Sequence, residues 1–342
     1  MPTALRPAKS LEAIYQPIQG GLLRVEETLR TELRDVDGFL GEMTRYVSDM
    51  LGKRLRPALA LFSAQACLSG TGYKPVPGTG FSVDRRVITM SASVELIHTA
   101  TLIHDDVIDA AVLRRGQSTV NARWGNTLSV LAGDYLYAQA FCLLSGLGSS
   151  DVLRLMARTS QRVCAGEVTQ VRHQFNAELD EATYLTILRE KTASLMAAAC
   201  HGGALLAGAE PATARALAAF GEAFGIAFQI MDDLHDIVGE EASLGKSLGT
   251  DLAQGQITLP LIVLRDAVGP AARQRVLDLM DPKANGEAAR ELKTLAAAHD
   301  VAAPCVARAR ALVTEAREGL TALSPSDARQ GLWDLTDYIL SA

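Results

Sequence analysis

Cysteine is scarce in this sequence, and none of it is arranged in closely spaced pairs. The 342 residues contain five cysteines, and no two of them form a C-x-x-C motif. They are dispersed along the chain as Cys67, Cys142, Cys164, Cys200 and Cys305. An odd, scattered set indicates free thiols in a reducing compartment. We expect these cysteines to be small residues of a buried core.

Long uninterrupted apolar runs are also missing. No stretch of about 18 consecutive apolar residues occurs, and the nearest candidate, residues 128–147, is broken by Asp134 and Gln139. Residues 1–20 contain no continuous apolar segment of the kind found in secretory signals. The sequence therefore predicts a soluble, cytoplasmic protein without a transmembrane segment.

Basic charge is not in excess, because 33 Lys and Arg stand against 39 Asp and Glu, for a formal net charge of −6. This balance argues against a general nucleic-acid-binding protein, although local basic sites can still hold small anions. Alternating runs of β-branched and aromatic residues, bounded by turn residues, are scarce as well. We therefore predict no substantial β-sheet.

Helical patterns are abundant instead. Hydrophobic residues make up 48% of the chain, and apolar residues recur at spacings of three and four, as at Val94, Ile97 and Ile108. The clearest interruption is 69–82, where four glycines and two prolines predict a surface loop. The pattern predicts an all-α protein of ten or more helices, with one domain spanning 1–342.

Two aspartate-rich clusters, 105–109 and 232–236, each follow apolar helical sequence. Asp105 and Asp109 are four residues apart, so both carboxylates share one helix face, and Asp232 and Asp236 repeat this spacing. A solvated acidic face would not be expected to emerge from such apolar helices. Carboxylates without histidine or cysteine partners suit Mg²⁺ bridged to phosphates. We expect both clusters to face one cavity and to grip a diphosphate through magnesium ions.

Other motifs accompany the clusters in a fixed order. They are Gly52-Lys53-Arg54-Leu55-Arg56-Pro57, His98, Arg114-Arg115-Gly116, Gly133-Asp134, Gly166-Glu167-Val168-Thr169-Gln170, Lys191-Thr192, Gln229 and Gly245-Lys246. Together with the clusters, this series resembles the trans-isoprenyl diphosphate synthase (polyprenyl synthetase) family over about residues 52–260. The resemblance implies a bundle of antiparallel helices around a central cavity, usually as a homodimer. It also implies repeated joining of isopentenyl diphosphate to an allylic diphosphate with trans double bonds.

The resemblance assigns roles to individual residues. About three Mg²⁺ ions would be held by Asp105, Asp109 and Asp232, with Asp236 and Asp233 acting through waters or from behind the ligands. The allylic diphosphate would be contacted by Arg114, Lys191 and Lys246. Isopentenyl diphosphate would occupy a metal-free pocket formed by Lys53, Arg56, His98 and Arg115. Thr192 and Gln229, which act with Lys191 in catalysis, would offer oxygen dipoles to the allylic cation. Gln256 stands where the family often has lysine and cannot supply that charge.

Small residues near the first cluster predict a long product. The growing chain is expected to pass the side chains at successive turns below the metals, Thr101, Ile97 and Val94, with each turn rising about 5.4 Å. Ala100 and Thr101 are small, so the upper cavity is predicted to be open, and Tyr137 and Phe141 are candidates for a deeper floor. We predict hexaprenyl to decaprenyl diphosphate as the product.

There are three alternatives to this function, of which the first and the third remain open. The first is a short-chain synthase that makes farnesyl or geranylgeranyl diphosphate. The second is a terpene cyclase, but its second metal motif normally contains Asn/Asp, Ser/Thr and Glu at spaced positions, which 232–236 does not match. The third is a non-catalytic subunit of a heteromeric synthase. Such subunits tend to lose an aspartate cluster, whereas both are present here.

Overall fold

The computed structural model describes residues 9–34, 36–49, 52–68, 84–238, 250–280 and 288–341, and these are almost entirely helical. The predicted all-α class is confirmed. The predicted loop at 69–82 lies outside the described residues.

Seventeen α-helices can be labelled within the described part of the chain. In order they are α1 (Leu11–Tyr15), α2 (Gln19–Arg34), α3 (Gly38–Asp49), α4 (Leu55–Leu68), α5 (Arg85–Ile108), α6 (Val120–Trp124), α7 (Asn126–Ser145), α8 (Ser150–Arg172), α9 (Glu181–Leu188), α10 (Ser194–Leu206), α11 (Pro211–Val238), α12 (Thr250–Ala253), α13 (Leu259–Ala267), α14 (Pro270–Leu279), α15 (Ala288–Ala298), α16 (Ala302–Leu320) and α17 (Asp327–Ser341). A 3₁₀ turn at Gln16–Ile18 follows α1, and a π-helical segment at Arg189–Ala193 follows α9. The strands β1 (Leu113–Arg114) and β2 (Gln117–Ser118) form a small antiparallel hairpin.

The chain divides into two compact units. Unit 1 is drawn from Met1–Ser160, Leu195–Gly221 and Arg317–Tyr338, and unit 2 from Gln161–Ser194, Glu222–Ala316 and Ile339–Ala342. The predictions of one domain and of a central cavity that both aspartate clusters face stay predictions.

Helix α5 is the central element of unit 1. It packs along α7 and also contacts α2 and α4. Its start is fixed by Asp84, whose side chain accepts a hydrogen bond from the backbone N–H of Arg86 at 2.9 Å. Its buried face includes Ile97 and Ala100, which have no exposed surface. The 24 residues of α5 thus run through the core and end with the first aspartate cluster.

Unit 2 is organised around α13, which packs against α9, α14 and α15. Arg265 of α13 is buried, and its Nη1 donates to the carbonyl oxygens of Ala177 and Leu179, both at 2.8 Å. Arg265 Nε also donates to Asp266 at 2.7 Å. These bonds satisfy a buried guanidinium and tie the segment before α9 to α13.

Two helices are long and apolar enough to cross a membrane by length and composition alone. They are α7 and α11, whose most apolar windows are 33% and 61% buried. The core helix of a folded protein meets the same criteria, so the finding is weak evidence for a membrane span. The predicted lack of a transmembrane segment stays a prediction.

All five cysteines are free thiols. Cys200 and Cys305 are buried, as predicted for core residues. That prediction is wrong for Cys142 and Cys164, which are exposed. Cys142 follows the exposed Ala138 by one turn of α7, so the helical period places it on the outer face.

Candidate active site

Both aspartate clusters lie at the C-terminal ends of long helices. Asp105 is in the last turn of α5, and Asp109 follows the helix with its N–H still donating to the carbonyl oxygen of Asp105 at 2.8 Å. Asp232 and Asp236 lie in the last two turns of α11. The C-terminal end of a helix carries partial negative charge, so carboxylates there are repelled both by the dipole and by one another. A cation bound at each cluster would relieve this repulsion.

The middle aspartate of each cluster is buried. Asp106 is 3% exposed and Asp233 is 4% exposed. The flanking members, Asp105, Asp109, Asp232 and Asp236, are half-buried or exposed. This contrast follows from the rotation of about 100° per helical residue, which turns the second position towards the protein. The flanking carboxylates are therefore the more accessible ones, although Oδ1 of Asp109 is itself buried.

Arg114, from strand β1, binds the buried Asp106. Its Nε donates to Asp106 Oδ1 at 2.9 Å, and its Nη2 lies 2.7 Å from the same oxygen. Burial raises the pKa of Asp106, while the hydrogen bond and charge of Arg114 lower it. The amide of Asn121 donates to the backbone carbonyl of Asp106 at 3.1 Å. Arg114 is thus held directly beside the first cluster, where its predicted diphosphate contact requires it.

The turn between β1 and β2 places Arg115 against Gly52. Arg115 and Gly116 have φ angles of 52° and 76°, which is the pattern of a type I′ hairpin turn. Gly116 adopts this conformation freely, whereas it is uncommon for an arginine. The Arg115 guanidinium lies against Gly52, since a Cβ added at Gly52 would be 2.2 Å from Arg115 Nη1.

A buried glutamate organises a group of basic side chains in unit 1. Glu95 of α5 accepts a hydrogen bond from Arg54 Nη1 at 3.2 Å, and Arg54 Nε also pairs with Glu26. Burial raises the pKa of Glu95, and the charges of Arg54 and Arg56 lower it. Arg56 is desolvated enough that its pKa falls to about 10, and its Nε has no hydrogen-bond partner. This group therefore has a donor available for an anion.

His98 lies one turn beyond Glu95 on α5. Burial lowers its pKa well below the usual range, and the charges of Arg56 and Arg115 lower it further. At neutral pH the imidazole is therefore uncharged and can donate one N–H. Lys53 is exposed, with Nζ 5.6 Å from the ring centroid of Tyr338. Four residues were predicted to bind isopentenyl diphosphate. Three of them are close enough for the charges of Arg56 and Arg115 to lower the pKa of His98.

In unit 2, Lys191 and Thr192 lie in the π-helical segment that joins α9 to α10. Such π turns are rare and occur frequently at functional sites. A Cβ added at Gly166 would be 2.5 Å from the backbone nitrogen of Lys191, so α8 approaches the segment closely. Lys191 Nζ pairs with Glu167. Gly166 therefore lets α8 lie close to Lys191, and Glu167 orients the Lys191 side chain through an ion pair.

A pocket of unit 2 lies beside this segment. Its wall is formed by Gln170, His173, Leu179, Tyr184, Ile187, Leu188, Lys191, Thr192, Gln229, Asp233, Gln256, Ile257 and Thr258. All three residues predicted to act in catalysis are among them. Gln256, where a lysine was expected from the resemblance, donates from Nε2 to Gln254 Oε1 at 3.1 Å. The pocket thus places Gln256 beside the predicted catalytic residues as a neutral amide.

The polar groups of this pocket form one chain of hydrogen bonds. Thr192 Oγ1 donates to Gln229 Oε1 at 3.3 Å, and Gln229 Nε2 donates to Asp233 Oδ1 at 2.8 Å. Tyr184 donates from its hydroxyl to Asp233 Oδ2 at 2.6 Å. Burial raises the pKa of Asp233, and the bonds from Gln229 and Tyr184 lower it. Burial also raises the pKa of Tyr184, which keeps the phenol protonated.

Asp236 and Lys246 are also among the residues predicted for the site. One oxygen of Asp236 accepts the backbone N–H of Asp251 at 3.2 Å, which anchors that carboxylate to the start of α12. Lys246 lies outside the described residues. Four side chains that lie beside the predicted site residues had no role assigned from the sequence, and they are Arg54, Glu95, Glu167 and Tyr184. Glu95 carried a usable signal, since it lies three residues before His98 and is the only acid between Arg86 and Asp105.

The carboxylate pairs suit Mg²⁺, whose coordination is completed by water and phosphate, better than a metal held by protein side chains alone. Within the described ranges, no three His, Cys, Asp or Glu side chains are grouped so that they could hold a metal by themselves. Mg²⁺ is usually bound by one or two carboxylates together with waters and substrate phosphates. Accessible carboxylate pairs at two helix ends meet that requirement.

Comparison with known proteins places these features in context. The family model described as Polyprenyl synthetase matches residues 37–298. The chain is 36% identical over 330 residues to the nonaprenyl diphosphate synthase of Mycobacterium tuberculosis, covering 95% of this chain and 93% of that protein. It is 38% identical over 252 residues to heptaprenyl diphosphate synthase component 2 of Geobacillus stearothermophilus, covering 74% and 75%. A solved polyprenyl synthase from Caulobacter crescentus, complexed with calcium and isoprenyl diphosphate, matches with a TM-score of 0.88 and 30% identity, covering 98% of this chain and 99% of that chain.

Proposed function

Because this chain belongs to the polyprenyl synthetase family, a family of prenyltransferases, we propose that it joins isopentenyl diphosphate to an allylic diphosphate in repeated additions. It is an all-trans polyprenyl diphosphate synthase of medium or long product length. Its products are hexaprenyl to decaprenyl diphosphates. It works in the cytoplasm, where its five free thiols are stable.

The observation that carries the proposal is the presence in unit 1 of two separate groups of side chains, each suited to hold a diphosphate. Asp105 and Asp109 form a carboxylate pair suited to metal-bound diphosphate, with Arg114 held beside them. Arg56 and Arg115 form a second basic group with His98, and its nearby acid, Glu95, is already paired with Arg54. An enzyme that only cleaved a diphosphate would need the first site alone, whereas joining two diphosphates requires both.

The metal requirement is assigned to the accessible carboxylates. Asp105 and Asp109 would hold two Mg²⁺ ions, and Asp232 would hold a third, with Asp236 acting through water. Bound Mg²⁺ would neutralise the negative charge that develops on the pyrophosphate as it leaves. The divalent metal in the Caulobacter crescentus structure supports this assignment.

Side chains supply the remaining charge and polarity. Arg114 and Lys191, together with Lys246, bind the allylic diphosphate through fixed positive charges, which stabilise the leaving group more than the ground state. Lys53, Arg56, His98 and Arg115 hold isopentenyl diphosphate. His98 contributes one neutral N–H donor because its pKa is lowered. Thr192 and Gln229 present oxygen dipoles to the allylic cation, and the released pyrophosphate takes the final proton.

The active form is proposed to be a homodimer. Helix α7 supports this, because it exposes Val130 and Leu131 on the outer side that also carries Cys142. Exposed large apolar side chains on one side of a helix favour a protein–protein interface. The similarity to a protein named component 2 favours a second arrangement, in which the chain works with a different partner subunit.

The proposed function is tested with the purified full-length chain. It is incubated with farnesyl diphosphate, excess isopentenyl diphosphate and Mg²⁺, and the products are sized by chromatography. We expect hexaprenyl to decaprenyl diphosphate, and no product when a chelator removes the metal. A product of geranylgeranyl length would establish the short-chain alternative, and activity only after addition of a second protein would establish the subunit alternative.

If Arg115 binds isopentenyl diphosphate, Gly52→Ala should weaken the binding of that substrate. The added methyl group would occupy space now held by the Arg115 guanidinium. A flexible side chain can move away, so the free energy of unfolding should change little. The displaced charge should raise the KM for isopentenyl diphosphate roughly 10-fold, equivalent to about 1.4 kcal/mol. The KM for the allylic diphosphate should stay within about twofold, and both are measured by steady-state kinetics.

A matched control for this prediction is Gly146→Ala. There the added methyl would meet only the Leu143 carbonyl oxygen at 3.5 Å, an ordinary contact. Both KM values should equal those of the parent chain. If Gly52→Ala also leaves the KM for isopentenyl diphosphate unchanged, Arg115 does not bind that substrate from its position in this structure.

A further inference from the structure

The buried Asp233 uses both of its carboxylate oxygens inside the protein. Oδ1 accepts from Gln229 Nε2 at 2.8 Å, and Oδ2 accepts from the Tyr184 hydroxyl at 2.6 Å. The side chain is 4% exposed, so water has little access to it. Asp233 therefore faces away from the accessible edge of its own cluster and towards α9 and Gln229.

Because Gln229 and Tyr184 each donate to one oxygen of Asp233, the two bonds favour its ionised form. An ionised carboxylate accepts hydrogen bonds and cannot donate them, so it selects one of the two orientations of a neighbouring amide. Facing Asp233, Gln229 must present its NH₂ group to Oδ1. Its Oε1 is then directed to the opposite side, where it receives the Thr192 hydroxyl at 3.3 Å and lines the pocket. The reversed amide would place an oxygen against a carboxylate and leave a buried acceptor unsatisfied.

We propose that Asp233 and Tyr184 are positioning residues that fix the orientation of the Gln229 amide, so that an oxygen and not an NH₂ group faces the reacting allylic carbon. The inference rests on the proposed function, because it needs a cation to develop in this pocket. An oxygen dipole stabilises that cation, whereas the partial positive charge of an NH₂ group destabilises it. Asp233 thus contributes orientation rather than metal binding to the second aspartate cluster.

Tyr184 completes the arrangement from a separate helix. It lies on α9, whereas Asp233 and Gln229 are four residues apart on α11. Its bond to Oδ2 restrains rotation of the Asp233 carboxylate, which would otherwise lose its alignment with Gln229. Because α9 continues directly into the segment with Lys191 and Thr192, the same bond also holds that segment against α11.

The effect should appear in kcat and not in substrate affinity. The positioned oxygen acts on charge that exists only as the allylic bond ionises, so ground-state binding is indifferent to the amide orientation. In Asp233→Asn the Tyr184 hydroxyl donates to the one remaining carbonyl oxygen, so the new NH₂ group faces Gln229 Oε1 and reverses the Gln229 side chain. We expect kcat to fall about 10- to 100-fold. Tyr184→Phe only loosens Asp233, and kcat should fall roughly 3- to 10-fold. Both KM values and the Mg²⁺ concentration for half-maximal activity should stay unchanged.

A double variant separates orientation from simple loss of structure. In Asp233→Asn combined with Gln229→Glu, the asparagine NH₂ donates to one glutamate oxygen and the other oxygen again faces the pocket. The net charge equals that of the parent chain. We expect this double variant to recover most of the kcat lost in Asp233→Asn. A double variant no better than the single one, or a Mg²⁺ requirement that rises in Asp233→Asn, would overturn the inference.

An activity-independent measurement keeps this test apart from that of the proposed function. The Gln229 side-chain NH₂ resonances are assigned in ¹⁵N-labelled protein by their loss in Gln229→Glu. Their hydrogen exchange should be slow in the parent chain and faster in Asp233→Asn, where the NH₂ group turns to the pocket. If exchange responds as expected but the parent chain makes no prenyl product, the proposed function fails and the positioning stands. If exchange is identical in both proteins, the positioning fails.

Discussion

Asp105→Asn is expected to lower kcat by at least about 100-fold and to raise the Mg²⁺ concentration needed for half-maximal activity. Asp105 is an accessible carboxylate at the C-terminal end of α5, where the helix dipole and Asp109 add further negative charge. Asparagine keeps the shape of the side chain but removes the charge that attracts the cation. The leaving pyrophosphate would then develop its charge with less compensation. Steady-state kinetics over a series of Mg²⁺ concentrations measures both effects.

Two other substitutions serve as controls for this result. Asp151→Asn changes an exposed aspartate in the first turn of α8 and should leave activity and Mg²⁺ dependence unaltered. Asp106→Asn removes the carboxylate that holds Arg114, so the KM for the allylic diphosphate should rise while the Mg²⁺ requirement changes little. A full-activity Asp105→Asn enzyme with the Mg²⁺ dependence of the parent chain would show that the first cluster does not hold the metal.

Helical periodicity explains why the metal residues could be selected from the sequence. A spacing of four residues places Asp105 and Asp109 on one side of the helix end, and the second position is rotated by about 100° from Asp105. The structure agrees with this for both clusters, since Asp106 and Asp233 are the buried members. Local chemistry of this kind depends on a few neighbouring residues and is therefore readable without tertiary information.

The supporting residues could not be found in the same way, because their partners are distant in sequence. Glu95 meets Arg54 across 41 positions, and Tyr184 meets Asp233 across 49. Such pairs depend on how helices pack, and no spacing rule connects their two members. The π-helical segment that carries Lys191 was equally hidden, and Gly166, which lies against it, is distant in sequence.

Thr101→Tyr is expected to shorten the product to about farnesyl or geranylgeranyl length. Thr101 lies one helical turn, about 5.4 Å, before Asp105 and faces the same side of α5. It is half-buried, whereas the adjacent Ala100 has no exposed surface, so a larger side chain has room only on the Thr101 side. A tyrosine ring there would block a chain that extends away from the metals. Chromatographic sizing of the products under excess isopentenyl diphosphate measures the change.

Thr101→Val separates the effect of volume from the effect of the hydroxyl group. The Thr101 hydroxyl donates to the backbone carbonyl of His98 at 2.7 Å, so any substitution removes a bond near a residue proposed to bind isopentenyl diphosphate. Valine has nearly the shape of threonine, and it should therefore keep the product length of the parent chain. A product of unchanged length from Thr101→Tyr, with activity retained, would mean that the growing chain does not pass this face of α5. Shortening by both variants would instead trace the change to the lost hydrogen bond, because only the tyrosine fills space.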